Sequence, residues 1–502
     1  MRVCREMRKP LSGWEGSQPA MIDRDAVLNN AKYLRQVRPI DPEEITDYIT
    51  GTPHPAVIRE ILREEAYALK IREQADGTFV PVSEKPLERP SWQPEAFPQP
   101  YADTIEDLLI EQFGLQWAAG ETGAGLRSAI RSLKSQYLEG DSVSYDYQTA
   151  LGYAIYHLPT YYASIGYVLD DLAMNDWLSR SLRILDIGAG TGGPGLGIAD
   201  YFPSDSIVEY HAVEPISAAG RVMDAFESEL GKNVRVHRHQ TTAETFTPEC
   251  ETFDLILFAN VLSELTDPRA VIEQSLSWVA NDGAVILTAP ADKRTSIQLR
   301  TLERAVVETR DALSVYSPTI RLWPDAEPND RGWSFDRRQP IQPPAVQRQL
   351  DTVSDTDRDT ETDAPGDGTF VKTSVKFSYA ILRPDGATRS DIRANSQRHA
   401  KMAKMNTHVT HRIDLIAVKL SENLTPTPQR ADSANPLYKI GDGSQHVDHY
   451  AVLTVEDPLT SALERAAYGR ILAFENVLCL WNDDEDAYNL VVDAESVVEI
   501  LE

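Results

Sequence analysis

LRILDIGAGTGGPG, residues 182–195, decides the fold. Residues 182–185 read as a buried strand, and Asp186 closes it. A turn follows with Gly188, Gly190, Gly192, Gly193 and Gly195, and LGIADYF then opens a helix. Strand, glycine loop and helix are the layout of a nucleotide-type cofactor site in a doubly wound α/β domain. Glycines let backbone N–H groups approach a ligand that a Cβ would repel. Pro194 suits a first helical turn, where its missing N–H costs nothing.

The same alternation continues downstream. IVEYHAVEP is a second strand ending in Glu214, SAAGRVMDAFESEL a helix, and VRVHRHQ a third strand. FDLILFANVLSEL is a fourth strand running into Asn260 and then a helix that carries Glu264. DPRAVIEQSLSWVA is a helix, GAVILTAPAD a fifth strand and TSIQLRTLERAVVETRDAL a long helix. Such alternation implies a parallel sheet. SPTIRLWP reads as an edge strand and VKFSYAILRP as a further strand.

The loop satisfies two patterns, each weak alone. GAGTGG fits the dinucleotide fingerprint, and Asp186-x-Gly188-x-Gly190-x-Gly192 fits that of S-adenosylmethionine (SAM) enzymes. Three features favour SAM over NAD. A carboxylate at Asp186 suits the cationic methionine end and repels a diphosphate. Glu214 ends the next strand, where it can accept both ribose hydroxyls, a feature shared with NAD sites. ANVLSEL follows the fourth strand, where SAM enzymes line the pocket beside the transferable methyl. The cofactor set is therefore Asp186, Gly188, Gly190, Gly192, Glu214 and Asn260. A SAM sulfonium is already activated, so methyl transfer needs a positioned nucleophile more than a strong base. No N/D-P-P-Y motif follows the fourth strand, and no cysteine nucleophile is in place. The catalytic residue stays unassigned, with Asn260 and Glu264 as candidates to contact substrate or simply to cap and pair locally.

Six blocks in order carry a family resemblance: YDYQTALGYAIYHLPTYYASIGYVLDDL, LDIGAGTGGPG, LFANVLSEL, TAP at 288–290, GWSFDRRQ at 332–339 and KFSYAILR. Together they resemble the methyltransferase-like family of small-ribosomal-subunit proteins, which includes mitochondrial ribosome assembly factors with bacterial and archaeal relatives. The resemblance spans about residues 144–383. It implies a class I SAM-binding fold and association with the maturing small subunit and its rRNA. Asp186, Gly188, Gly190 and Glu214 carry over as cofactor residues, with Asn260 and Glu264 in the block beside the pocket. Many members of that family hold an iron–sulfur cluster on cysteines just after TAP and in the tryptophan block. Here those stretches read Ala291-Asp292-Lys293 and Trp333-Ser334, so no cluster is expected.

The flanks divide the chain further. Residues 1–85 read as helices and then a hairpin, a possible winged helix or a small docking module, with Asp41 an N-cap. Residues 86–143 begin with five prolines in PLERPSWQPEAFPQP, an extended strap, and return to helix. The class I SAM-dependent, Rossmann-like α/β domain covers 144–385. In its first helices tyrosines recur at helical spacing, as a packing face or a lid, and Pro159 breaks the run after Leu158. Its segment 349–368 is acidic and nearly free of apolar residues, which predicts a disordered insertion. Residues 386–412 are a basic linker, and 413–502 a small β-rich domain, OB-like in one version.

Net charge is −28, as for an acidic surface tuned to a salt-rich, halophile-like cytoplasm, and it opposes nucleic acid except where basic residues are segregated. Arg389, Arg393, Arg398, Lys401, Lys404 and Arg412 supply such a segment, the candidate RNA contact. Cys4, Cys250 and Cys479 lie far apart, so no cysteine-based metal site is spelled and no metal is expected. No apolar run reaches the ~18 residues of a membrane span. The first twenty residues lack the apolar core of a signal peptide, and Met21 is an alternative start. A cytoplasmic protein without membrane attachment is expected. Two functional classes stand: a methyltransferase acting on small-subunit rRNA, and a SAM-binding assembly factor without catalysis. An NAD-dependent oxidoreductase is a more distant third.

Overall fold

A computed structural model describes residues 22–139, 146–249, 252–310, 312–352, 368–425 and 435–502. The alternative start at Met21, Cys4, Cys250 and most of the acidic insertion (353–367) lie outside the described residues. The chain divides after Val82 into two compact units.

The first unit holds α1 (Arg24–Leu34), α2 (Pro42–Tyr48), α3 (Pro55–Glu64), α4 (Ala66–Leu69) and an antiparallel hairpin of β1 (Ile71–Glu73) and β2 (Phe79–Pro81). Asp23 and Asp41 cap the first two helices by accepting from Ala26 N and Glu43 N, which satisfies amides the helix cannot pair itself. Ile40 bridges to Phe79, so the segment before α2 joins the hairpin. Val27, Ile45, Ile58, Leu62 and Phe79 fill the core. Arg63 of α3 pairs with the buried Glu73 at 2.6 Å, with Arg59 at 3.9 Å.

The second unit opens with the proline strap, which packs closely: Trp92 is buried and its indole donates to the Ala163 carbonyl at 2.9 Å. Helices α5 (Gln99–Phe113), α6 (Gly120–Glu139), α7 (Tyr147–Tyr156) and α8 (Leu158–Ala173) follow. Pro159 sits in the first turn of α8, so the break falls one residue earlier than proline placement alone suggests. The tyrosine stripe is largely a packing face: Tyr162 is buried, and its hydroxyl and that of Tyr101 both donate to Asp200 at 2.9 Å.

Next come β3 (Ser181–Ile187), α9 (Gly193–Tyr201), β4 (Ile207–Val213), α10 (Ser217–Asp224), β5 (Val234–His239), β6 (Phe253–Ala259), α11 (Pro268–Ser275), β7 (Val279–Pro290), α12 (Lys293–Val307), β8 (Ser314–Ser317), β9 (Asp336–Arg338), α13 (Ala345–Thr352) and β10 (Val375–Arg383). The sheet runs β5-β4-β3-β6-β7-β10-β8, with β9 beside β10. The first five strands are parallel, while β10 runs antiparallel to both β7 and β8. Strand order reverses between β3 and β6, where open α/β sheets bind ligands at their carboxyl ends. Three local readings change: the edge strand β8 ends at Ser317, so residues 318–324 of SPTIRLWP are irregular. Residues 261–267 form turns rather than a helix, and 349–352 of the acidic segment complete α13.

The last strands are β11 (Arg412–Lys419), β12 (Leu437–Gly441) and β13 (His449–Leu453), then α14 (Ala462–Arg465), β14 (Ile471–Asn482), β15 (Ala487–Val492) and β16 (Val497–Ile500). They pair β11-β12-β13-β15-β14, and β14 returns to β11, closing a five-stranded barrel with β16 added on β14. β13 and β15 are its one parallel pair among the described residues. Met402, Met405, Phe474, Cys479 and Leu490 share its core, so the stretch before β11 belongs to the barrel. No helix among the described residues is long and apolar enough to cross a membrane.

Candidate active site

A cleft of about 240 Å³ opens at the carboxyl ends of β3, β4 and β6. Gly188 and Gly190 form its floor with φ of +74° and +57°, a left-handed backbone that strongly favours glycine. The chain turns here because Gly188 N and Ala189 N both donate to the Val213 carbonyl, at 2.9 and 3.2 Å. A Cβ on Gly188 would lie 2.3 Å from Val261 Cγ2.

Glu214 follows β4 directly and is buried in the cleft wall. Its carboxylate accepts from Gly190 N at 2.9 Å and from Ile216 N at 2.8 Å. Burial raises its pKa, and the two amides work against that rise. The carboxylate stands at the end of the second strand, where it can accept the ribose hydroxyls of a nucleoside cofactor.

Asn260 and Glu264 also line the cleft. Asn260 is buried at the end of β6 with φ of +62°, a conformation that costs a side-chain-bearing residue about 1–3 kcal/mol and that clusters at functional sites. Its N donates to the Thr288 carbonyl at 3.2 Å, while its Oδ1 is buried without a partner among the described residues. Glu264 stands exposed at the rim in a turn, its N donating to the Val261 carbonyl at 2.8 Å.

Two of the expected cofactor residues lie elsewhere. Asp186 is fully buried beneath the loop and does not line the cleft. The Tyr210 hydroxyl donates to its Oδ2, Oδ1 has no partner among the described residues, and burial pushes its pKa up to about 7. Asp186 therefore supports the loop from below. Gly192, at φ +89°, precedes α9 and faces Met223 in a separate cavity. Asp186 still belongs to β3 and Gly192 already caps α9, so neither shares the turn that Gly188 and Gly190 present to the cleft.

The cleft also takes in one tyrosine of the stripe and residues that no motif marks. Tyr153 of α7 lines it, with its ring 5.0 Å from that of His157. Ile216 and Thr242–Glu244 complete the walls beyond β4 and β5. For Ile216 and Thr242–Glu244 the signal was positional, since they follow the carboxyl ends of β4 and β5. The residues present fit SAM: side-chain-free backbone at Gly188 and Gly190, an acceptor pair at Glu214, and the unsatisfied Oδ1 of Asn260 for a donor. SAM supplies an electrophilic methyl when bound, and these residues would hold and orient it.

Comparison with known proteins agrees with the sheet order. Residues 162–339 match a methyltransferase domain family. Residues 24–75 and 403–501 match the N-terminal and C-terminal domains of DUF8157, a family of unknown function. No protein of curated function matches the chain. Among solved structures, YcgJ from Bacillus subtilis is 20% identical, covering 40% of this chain and 90% of its own, with a TM-score of 0.24. The plantazolicin methyltransferase BpumL with SAH is 13% identical, covering 56% of this chain and 98% of its own, with a TM-score of 0.27. Phosphoethanolamine N-methyltransferase 2 from Haemonchus contortus is 21% identical over 22% of this chain and 24% of its own, with a TM-score of 0.19. On sheet order and domain match, the central part of this chain has the Rossmann-like fold of a class I methyltransferase domain, preceded in sequence by a helical region and followed by a small β-rich domain.

Proposed function

We propose that this chain is a SAM-dependent methyltransferase acting in the cytoplasm on RNA of the small ribosomal subunit. The cofactor half rests on one observation: Glu214 held by Gly190 N and Ile216 N in the wall of a cleft that also holds Asn260. The RNA half is supported by the ordered sequence blocks and by exposed Arg393, Arg398 and Lys404 before the barrel. Calorimetry should give binding of SAM and S-adenosylhomocysteine and none of NADH. Tagged protein should co-sediment with the small subunit. Mapping of its rRNA should show a methyl group lost on deletion, restored by the wild type and not by Gly188→Ala.

One observation favours the second reading, a SAM-binding assembly factor without catalysis. The segment after β6 turns Val261 against Gly188, and no aromatic from that segment lines the cleft. Subunit assembly that survives Gly188→Ala, with no methyl group mapped in either strain, would favour it.

A further inference from the structure

We propose that Glu209, His211 and His237 form a binding site for a divalent transition-metal ion of the zinc class, clasping the edge strand β5 to β4. Glu209 and His211 are two residues apart on β4 and so share a face of the sheet. The parallel register sets His211 directly beside His237. Glu209 Oε1 lies 3.3 Å from His211 Nε2 and 3.5 Å from His237 Nε2. All three ligand atoms fall within 4.8 Å of one another. A tetrahedral ion with bonds of ~2.0–2.1 Å separates its ligand atoms by about 3.3 Å, so both measured edges match.

The surroundings orient these groups. Arg183 Nε holds the other oxygen of Glu209 at 3.0 Å, which leaves Oε1 as a single ligand atom. His211 Nδ1 lies 3.0 Å from His239 Nε2, a contact that fixes the orientation of the His211 ring. Phe253 packs edge-on against the His211 ring, centroids 5.2 Å apart. The His211 and His237 rings stack at 4.6 Å and 21°, and both present Nε2 to the same oxygen. Both contacts to this oxygen, at 3.3 and 3.5 Å, are long for N–H···O hydrogen bonds. The His237 side chain is 34% exposed, which gives an entry path and room for water as a fourth ligand. Two imidazoles with one carboxylate suit zinc, cobalt, nickel or iron rather than magnesium or calcium. No sequence spacing announces the set, because strand register creates it.

The test uses the full chain after chelator treatment. Zn²⁺ titrated calorimetrically should bind at one equivalent, Co²⁺ should give the visible absorption of a tetrahedral site, and saturating Zn²⁺ should raise Tm. His237→Gln should weaken binding at least tenfold and abolish the Co²⁺ absorption, while His446→Gln, at an exposed histidine elsewhere, should change neither. Glu209→Gln is a second variant with the same expectation, and circular dichroism confirms that each variant is folded. Absence of Zn²⁺ binding by the wild type, or equal binding by folded His237→Gln, overturns the site.

Discussion

The indole Nε1 of Trp333 donates to the main-chain carbonyl of Ala291 at 3.0 Å. This bond joins the turn after β7 to the segment before β9. Serine hydroxyls continue the joint. Ser378 donates to the Ser334 carbonyl at 2.8 Å, the Ser296 and Ser378 hydroxyls meet at 2.7 Å, and those of Ser334 and Tyr468 at 2.9 Å. Arg300 lies below, fully buried, donating to Tyr468 at 3.1 Å and paired with Glu303 at 2.8 Å and Asp330 at 3.0 Å. The region is held by a polar network centred on one guanidinium.

Removing that guanidinium leaves two buried carboxylates without their cation. Arg300→Met should therefore cost about 3–5 kcal/mol. Trp333 is 44% exposed, so Trp333→Phe loses one hydrogen bond that water can replace, about 1 kcal/mol or less. Urea unfolding measures both. A shift for Arg300→Met no larger than that for Trp333→Phe would show that the network does not depend on Arg300.

The two loop glycines should differ in their tolerance of a methyl group. Gly188→Ala puts a Cβ 2.3 Å from Val261 in a strained backbone, whereas Gly190→Ala meets nothing nearer than the Gly188 carbonyl oxygen at 4.0 Å. Gly190→Ala then pays only left-handed strain, about 1–2 kcal/mol, and keeps its N–H to Glu214. Calorimetry should show SAM binding abolished by Gly188→Ala and reduced about tenfold by Gly190→Ala. Equal losses would refute this ranking.

Much of this was legible in the sequence because it depends on short-range pattern. The short apolar runs, the glycine turn and the acid after the second strand place β3, β4 and Glu214 without tertiary information. What escaped depends on register and direction. Asp186 and Gly192 belong to the motif yet face away from the cleft, and Thr242–Glu244 enter it from a strand end with no motif. The basic run shows the same limit, since charge in sequence does not say which side chains are spent internally. Arg389 is buried, donating to Ser317 Oγ at 3.2 Å and to the Gly469 carbonyl, so it is no RNA contact. Arg412 pairs with Asp493 at 2.7 Å and Lys401 with Asp325 at 2.7 Å.

Asp186 predicts a pH signature. Burial raises its pKa from an ordinary 3.8 to about 7, so the folded protein keeps a proton there that the unfolded chain releases. The stability this contributes is complete below about pH 4 and is lost as pH rises through about 7. Asp186→Asn cannot ionise, and its amide oxygen can still accept from Tyr210. Its Tm relative to the wild type should climb between pH 4 and pH 8. A difference independent of pH would mean that burial does not raise the Asp186 pKa.

Only Arg393, Arg398 and Lys404 of the basic segment are exposed, and they carry the RNA prediction. Reversing all three to glutamate removes up to three phosphate contacts. The slope of log affinity against log salt should fall by about 2–3, and co-sedimentation with the small subunit should drop with it. Stability should stay within about 0.5 kcal/mol per site, as for other surface changes. Arg389→Ala should do the opposite. It strips the guanidinium from Asp171 at 3.8 Å and Glu502 at 3.4 Å, costing about 3–5 kcal/mol while leaving the salt slope of the folded fraction unchanged. Measuring unfolding and salt-dependent binding on both variants separates the roles. An unchanged slope in the triple reversal would remove this segment from any RNA interface.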